Sequence, residues 1–162
     1  MRFILDGMLG KLAGWLRMMG HDAKYSTELS DSELLCIAQK ENRALLTRDL
    51  ALYQHAISKN AEAYYVEGIT ESDRIANLST RFGISISIDM THSNCPKCNT
   101  QLTSVPKEEI AEEVEKNTFL YCTEFSKCSN CGSVYWQGAH WTKICATLEE
   151  ARLKQKKKKL SY

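Results

Sequence analysis

The first half of the chain alternates short apolar runs with longer stretches whose apolar residues recur at helical spacing. Phe3-Ile-Leu5 is the first apolar run, and the helical spacing that follows it stops at Gly20. Ser30-Asp-Ser-Glu33 has the form of a capping box and opens a second helix. The pattern predicts strands over residues 3–5, 23–25, 44–47, 63–66 and 84–88, and helices over residues 9–19, 30–41, 50–58 and 71–82.

Strands that alternate with helices in this way are typical of an α/β fold, in which a parallel sheet is flanked by helices. The segment 84–88 alternates isoleucine with serine, so we expect it at an edge of the sheet or exposed. Ligands of such sheets bind in the crevice at the carboxyl ends of the strands. Residues that directly follow strands are therefore the first candidates for chemistry.

The second half of the chain has a different pattern, with short strands and paired cysteines. Strands are predicted over 102–105 and 134–136, a helical stretch over 106–116, and a last helix from about Thr142 into a run of lysines. We expect an α/β domain over residues 1–91, a small metal-binding ribbon over 92–146, and a C-terminal helix with a basic tail over 147–162.

The paired cysteines are Cys95-Pro-Lys-Cys98 and Cys128-Ser-Asn-Cys131. Each pair can offer two thiolates to one tetrahedral ion, so the four cysteines predict a structural Zn²⁺ site. A redox pair or a disulfide is the alternative, and Cys122 is an alternative ligand. His92 and His140 flank the pairs, but four sulfur ligands leave no position for them.

Composition excludes some classes of protein. The chain has 162 residues and a net charge of +1, which argues against a broad basic surface. No run approaches the ~18 apolar residues of a membrane span, and the apolar start of the chain is too short for a secretory signal. We therefore expect a cytoplasmic protein that does not enter a membrane. The lysine run 156–159 is either a solvated tail or a contact with nucleic acid.

Three acids stand where the predicted sheet would gather them. Asp6 ends the first strand, Asp49 follows the strand 44–47, and Asp31 begins the helix that leads into that strand. Carboxylates without basic partners repel one another unless they bind Mg²⁺ or Mn²⁺, which assist phosphodiester hydrolysis. Asp31 and Asp49 also have structural interpretations, as a helix-dipole residue and an N-cap. Asp6 has no obvious capping role.

Long segments of the chain resemble the Mut-seven C-terminal RNase domain family, described as a PIN-like nuclease domain followed by a zinc ribbon. The resemblance covers about residues 2–145. It is carried by Asp6-Gly-Met-Leu-Gly-Lys-Leu-Ala-Gly-Trp-Leu-Arg17, Gly20-His-Asp22, Leu45-Leu-Thr-Arg-Asp49, both cysteine pairs, and Val134-Tyr-Trp-Gln-Gly-Ala-His-Trp141.

The resemblance implies a metal-dependent ribonuclease with Asp6, Asp31 and Asp49 as catalytic and metal-binding acids. Glu33 competes with Asp31 for the second position, but a capping-box glutamate folds back on its N-cap, so we prefer Asp31. Gly14 stands where similar sequences often have a basic residue. A PIN-like site usually has four acids, and the sequence offers only Asp73 and Asp89 as further candidates, both without positional support.

RNA is the expected partner. Lys11, Arg17 and Arg48 lie beside the acids in the sequence and are candidates for RNA contact or ordinary surface charges. Two other functions stay open: a non-catalytic RNA-binding or ribosome-associated adaptor, and a toxin-type nuclease restrained by a protein partner. The sequence does not determine the oligomeric state.

Overall fold

The structure is a computed structural model that describes residues 1–159. Its N-terminal domain contains a parallel sheet with the strand order β2-β1-β3-β4. The predicted α/β fold is therefore confirmed. The strands are β1 (Arg2–Leu5), β2 (Asp22–Tyr25), β3 (Ala44–Thr47) and β4 (Ala63–Tyr65).

Helices cover both faces of this sheet because its central strands are apolar on both sides. Phe3, Leu5 and Leu46 point to a core beneath the first and fourth helices, whereas Ile4 and Leu45 point to a core beneath the second and third. Full burial of each such side chain contributes roughly 1.5–3 kcal/mol. The helices are α1 (Gly10–Met18), α2 (Asp31–Glu41), α3 (Leu50–Ser58) and α4 (Glu71–Phe82).

Side-chain caps set the starts of three of these helices. Ser30 and Glu33 form the predicted capping box of α2, and Thr70 and Asp73 form another on α4. Asp49 caps α3. These caps bring the beginnings of the helices to the ends of the preceding strands.

The amino edge of the sheet is closed by a buried arginine. The Arg43 side chain is 2 % exposed and pairs with Asp22 (2.8 Å) and Glu41 (2.7 Å). Burial alone would raise the pKa of Asp22, but the hydrogen bonds from Arg43 and Asn99 outweigh it and lower the pKa to about 2. Asn99 directly follows the first cysteine pair, so the second half of the chain docks at this edge.

The second half forms a three-stranded antiparallel sheet of β5 (Leu102–Val105), β6 (Phe125–Cys128) and β7 (Val134–Trp136). The helix α6 (Ala139–Lys159) then returns to the N-terminal domain and packs on α4. It begins earlier than the predicted Thr142 and crosses the predicted domain boundary at residue 146. The predicted division into domains stays a prediction, and residues 160–162 of its last part lie outside the described residues.

Two predicted elements differ from the structure. The segment 84–88 is not a strand: Ile84 and Ile86 are buried as the alternation indicates, but side chains of Ser79 and Arg152 occupy their carbonyl groups. The alternation of isoleucine and serine therefore indicates that one side of the segment is buried, but not that the segment pairs as a strand. The helical stretch 106–116 is a short 3₁₀ turn over Lys107–Ile110, and the helix α5 (Lys116–Tyr121) begins where the prediction ended.

Candidate active site and metal centre

The carboxyl edge of the sheet brings Asp6 beside Thr47. Leu5 is paired with Leu46 in the β1–β3 register, so the next residues of the two strands are neighbours. The chain reverses the order of its strands between β1 and β3, since α1 leads to one side of β1 and α2 crosses to the other. Ligand crevices of open α/β sheets lie at such a reversal.

Asp6 is a buried carboxylate whose hydrogen-bond donors in the described part of the chain are neutral. It is 6 % exposed. Its Oδ1 accepts a hydrogen bond from the Met8 amide (2.9 Å), and its Oδ2 accepts from the Arg48 amide (2.9 Å) and the Thr47 hydroxyl. No basic side chain within residues 1–158 forms an ion pair with it. A buried carboxylate without a counter-charge is typical of a site that binds a cation.

Asp49 is linked to Asp6 through the Thr47 hydroxyl. That hydroxyl donates to Asp6 and accepts from the Asp49 amide (2.8 Å). The Asp49 Oδ1 caps α3, since it accepts from the amides of Ala51 (2.7 Å) and Leu52 (3.0 Å). Asp49 is exposed. The capping interpretation of Asp49 is therefore confirmed, and its second carboxylate oxygen has no hydrogen bond within residues 1–159.

Asp31 is the exposed first residue of α2. Glu33 folds back onto Ser30, with its Oε2 2.8 Å from the Ser30 amide, as expected of the capping-box partner. This leaves Asp31 as the acid of that segment whose side chain does not cap the helix.

The three aspartates do not form a tight cluster of ligand atoms. Within residues 1–159, the four paired cysteines are the only group of three or more acidic, histidine or cysteine side chains whose ligand atoms converge. Mg²⁺ keeps several of its waters and needs few direct protein ligands. The assignment of Asp6, Asp31 and Asp49 to one metal site stays a prediction.

The fourth-acid candidates have other partners. Asp73 is the capping-box partner of Thr70 at the start of α4 and forms an ion pair with Lys154 (2.7 Å). Asp89 accepts a hydrogen bond from the Thr91 amide and interacts with the His92 ring. Glu67 was missed by sequence analysis, although it is exposed and lies two residues beyond the end of β4. Its position after a predicted strand was the signal that could have found it.

The predicted RNA-binding residues divide into two groups. Lys11 and Arg48 are exposed near the carboxyl edge, where α1 begins and β3 ends. Arg17 is 6 % exposed and directs its guanidinium to backbone carbonyls at the opposite edge. This placement does not fit the predicted RNA contact, because the side chain is buried and its Nε and Nη1 donate to carbonyls inside the protein.

The four paired cysteines converge on one point. All four sulfur atoms lie within 4.8 Å of one another, with Cys95 3.6 Å from Cys131 and Cys98 3.4 Å from Cys128. Sulfurs about 2.3 Å from a tetrahedral zinc ion would be about 3.8 Å apart. The cluster therefore has the dimensions of a zinc site and is consistent with a zinc ribbon.

Each cysteine pair ends in a turn that needs a left-handed residue. Asn99 follows Cys98 with φ +69°, and Gly132 follows Cys131 with φ +72°. Asparagine and glycine are the residues that adopt this conformation at least cost. The turns aim both sulfurs of a pair at the same point.

The sulfurs differ in their preferred protonation state. Hydrogen bonds from the Thr100 side chain and backbone lower the pKa of Cys98 to about 5, whereas burial raises the pKa of Cys128 to about 11. A bound cation would favour the thiolate at every position. The Cys122 sulfur lies 4.0 Å from the Gln137 carbonyl, and neither Cys122, His92 nor His140 joins the cluster.

Fold and site together define a class of protein: an α/β domain with acids at the carboxyl edge of a parallel sheet, joined to a four-cysteine ribbon. The chain belongs to the Mut7-C RNAse domain family, whose model matches residues 1–148. Comparison with curated proteins and with solved structures gives no match. Within residues 1–159, no helix has the length and apolar character needed to cross a membrane.

Proposed function

We propose that this protein is a metal-dependent ribonuclease that hydrolyses RNA phosphodiester bonds at the carboxyl edge of its parallel sheet. The observation that carries the proposal is Asp6, a buried carboxylate at the strand reversal of an RNAse-family domain, with no basic partner among the side chains that the structure describes. Asp6, Asp31 and Asp49 hold Mg²⁺ or Mn²⁺, in part through its waters. Four cysteines hold a structural Zn²⁺.

Each residue of the edge has a role in this proposal. Thr47 and the Arg48 amide orient the Asp6 carboxylate, and the cap on α3 orients Asp49. When bound, the divalent ion supplies activation of water and stabilisation of charge on the phosphate. The side chains of Lys11 and Arg48 are exposed near this edge and contact phosphates of the RNA.

The first test is cleavage of labelled RNA with Mg²⁺ or Mn²⁺ by the wild-type chain and by the variants Asp6→Asn and Asp49→Asn. We expect each variant to lose cleavage by at least ~100-fold, because a metal-binding carboxylate is removed. Asparagine is as good an N-cap as aspartate, so Asp49→Asn keeps α3 intact. Glu62→Gln is the control, since Glu62 is an exposed acid next to the amino end of β4.

Cleavage that survives both aspartate substitutions would exclude this site. Loss of cleavage in Glu62→Gln as well would show that any acidic residue matters and that the carboxyl edge is not special. Metal titration of Asp6→Asn completes the test, because a lost ligand also raises the concentration of Mn²⁺ needed for residual activity.

A non-catalytic RNA-binding or ribosome-associated adaptor is the second candidate. It is favoured by the acids themselves, since both oxygens of Asp6 and one of Asp49 already accept hydrogen bonds from the protein. Aromatic side chains of the ribbon, including Trp136 at 38 % exposure, could stack on RNA bases. RNA binding that persists without cleavage at any Mg²⁺ or Mn²⁺ concentration would identify this function.

We propose a cytoplasmic location, where thiols stay reduced. All seven cysteines are free of disulfides, which supports this environment. Metal analysis of protein purified under reducing conditions tests the zinc proposal, and we expect one zinc per chain.

A further inference from the structure

An arginine of the N-terminal domain forms hydrogen bonds with the first cysteine pair. Arg17, in the last turn of α1, is 6 % exposed. Its Nη1 donates to the carbonyls of Pro96 (2.8 Å) and Lys97 (3.2 Å), the two residues between Cys95 and Cys98. Its Nε donates to the carbonyl of Ala23 in β2 (2.8 Å). One guanidinium therefore joins α1, β2 and the first cysteine pair.

A second contact holds the same cysteine pair against β2. The Asn99 side chain accepts from the Ala23 amide (3.0 Å) and donates to the Asp22 carboxylate (2.6 Å). Asn99 directly follows Cys98, so the contact lies one residue from a sulfur of the cluster. The turn needs a positive φ at this position, and asparagine provides both the turn and the contact.

The entry into the cysteine pair is bound to α1 as well. The Ser93 hydroxyl donates to the Met18 carbonyl (2.6 Å), and the Asn94 amide donates to the Arg17 carbonyl (2.8 Å). The hydrophobic cluster at the cysteines of the ribbon is small, formed by Cys95, Leu102 and Cys128 with partly buried neighbours. Much of what holds the first cysteine pair in place is therefore supplied by the other half of the chain.

Charge gives Arg17 a second role. Four thiolates around one Zn²⁺ carry a net charge of −2, and such a charge in a partly buried site favours a nearby cation. Nε and Nη1 of Arg17 bind neutral carbonyls, and two of these belong to the residues between Cys95 and Cys98. Burial lowers the pKa of Arg17, and negative charge on Cys95 and Cys98 opposes that shift. Arginine suits this position because its planar fork can bind several carbonyls and keep its charge when buried.

We propose that Arg17 is a positioning residue of the zinc site, supplied by the N-terminal domain, and that zinc occupancy and the order of the α1–β2 junction are coupled through Arg17 and Asn99. Outer residues that orient metal ligands typically affect affinity 10–100-fold. Coupling of this kind is reciprocal, so zinc stabilises the junction by as much as the junction stabilises zinc. The proposal does not depend on nuclease activity.

The first experiment measures zinc affinity of the full chain by competition with a chromogenic chelator. We expect Arg17→Gln to weaken zinc binding by roughly 10–100-fold, and Arg17→Lys to restore part of the loss by keeping the charge. Lys97→Gln is the matched control: it removes a positive charge between Cys95 and Cys98, but the Lys97 side chain contacts Ser133 of the ribbon and not α1. We expect it to weaken binding less than threefold.

Equal zinc affinity in Arg17→Gln and wild type would overturn the proposal. An Arg17→Lys variant as weak as Arg17→Gln would overturn the role of Arg17 as counter-charge. If Arg17→Gln does not fold, Asn99→Gly keeps the test decisive, because glycine tolerates the positive φ and removes only the side-chain contacts to β2. We expect zinc binding to weaken by several-fold in Asn99→Gly, and no change would overturn the proposal.

The second experiment measures amide hydrogen exchange of the wild-type chain with zinc and after chelation. We expect faster exchange over residues 17–25 on zinc removal, and much smaller change over residues 44–58, which have no hydrogen bond to the ribbon within the described chain. The Asn99→Gly variant should show this faster exchange at Ala23 even with zinc bound. Unchanged exchange over 17–25 after complete zinc removal would show that the two halves are not coupled.

Discussion

The two edges of the parallel sheet differ in the partners of their buried charged side chains. At the amino edge, the buried Arg43 pairs with the carboxylates of Asp22 and Glu41. At the carboxyl edge, the hydrogen bonds to the buried Asp6 carboxylate from the described part of the chain come from two backbone amides and one hydroxyl. Both edges belong to the same strands, only about four residues apart along each strand.

This difference separates structure from chemistry. A buried charge with a partner inside the chain is already neutralised and holds elements together. A buried carboxylate that has no charged partner is stable only if nearby dipoles compensate its charge or if it binds a cation from solution. The ribbon docks at the amino edge, so it does not cover the carboxyl edge, where the candidate acids lie.

The largest effect is expected from Cys128→Ser, which removes one ligand of the four-cysteine cluster. Structural zinc contributes about 10 kcal/mol or more to the folding of small zinc modules. Because the ribbon core is small, we expect residues 93–138 to lose protection from hydrogen exchange, while β3 and α3 keep theirs. Loss of protection in all parts of the chain would show that the two edges are not independent.

The amino edge can be weakened without touching the ribbon. Arg43→Ala should lower the free energy of unfolding by about 2–3 kcal/mol, because it leaves Asp22 and Glu41 without their buried partner. Arg2→Ala is the matched control, since Arg2 contacts the same two acids but is 51 % exposed, and we expect less than about 1 kcal/mol. Urea unfolding of both variants measures the difference, and equal losses would contradict the importance of burial.

The amino edge should also respond to mild acid. Burial and the nearby N-terminal ammonium lower the pKa of His21 to about 4 from 6.5. Its contribution to stability is complete above pH 6.5 and is lost as the pH falls towards 4, since only the unfolded chain takes up the proton. We expect the free energy of unfolding to fall by on the order of 1–2 kcal/mol over this range.

His21→Phe should remove that slope and leave the loss between about pH 4 and pH 2, where the unfolded chain takes up protons on acids such as Asp22 and Glu41 whose pKa is lowered to about 2 in the folded chain. Urea unfolding at pH 7.5, 5.0 and 3.0 separates the two groups. A wild-type slope in His21→Phe between pH 6.5 and 4 would assign the effect to another residue.

The smallest effect is expected at the carboxyl edge. Asp49→Ala should cost about 1 kcal/mol because α3 loses its N-cap, whereas Asp49→Asn should cost only a few tenths. Thermal unfolding measures both. If Asp49→Asn were as stable as wild type but without RNA cleavage, structure and chemistry would be separated at a single residue.

Most of the local structure could be predicted from the sequence. The helix Leu50–Ser58, the capping box at Ser30 and the strand Ala44–Thr47 agree with the structure, because each depends on residues within one or two turns of each other. The cysteine pairs likewise predicted their own convergence, since CxxC spacing places two sulfurs on one turn. The strand predicted over residues 84–88 was wrong, because alternation of apolar and polar residues does not specify a pairing partner.

The amino-acid sequence by itself determined the sheet-and-helix order, the four-cysteine cluster and the acids that follow β1 and β3. Only the tertiary structure decided that Arg17 contacts the first cysteine pair, that Asp6 has no basic partner among the described side chains, and that the ribbon docks at the edge opposite the acids. The physical reason is the distance along the sequence over which each kind of interaction acts. Caps, periods and cysteine spacings act over a few residues, whereas the partner of a buried charge is chosen by packing between segments as many as 80 residues apart, as Arg17 and Lys97 are.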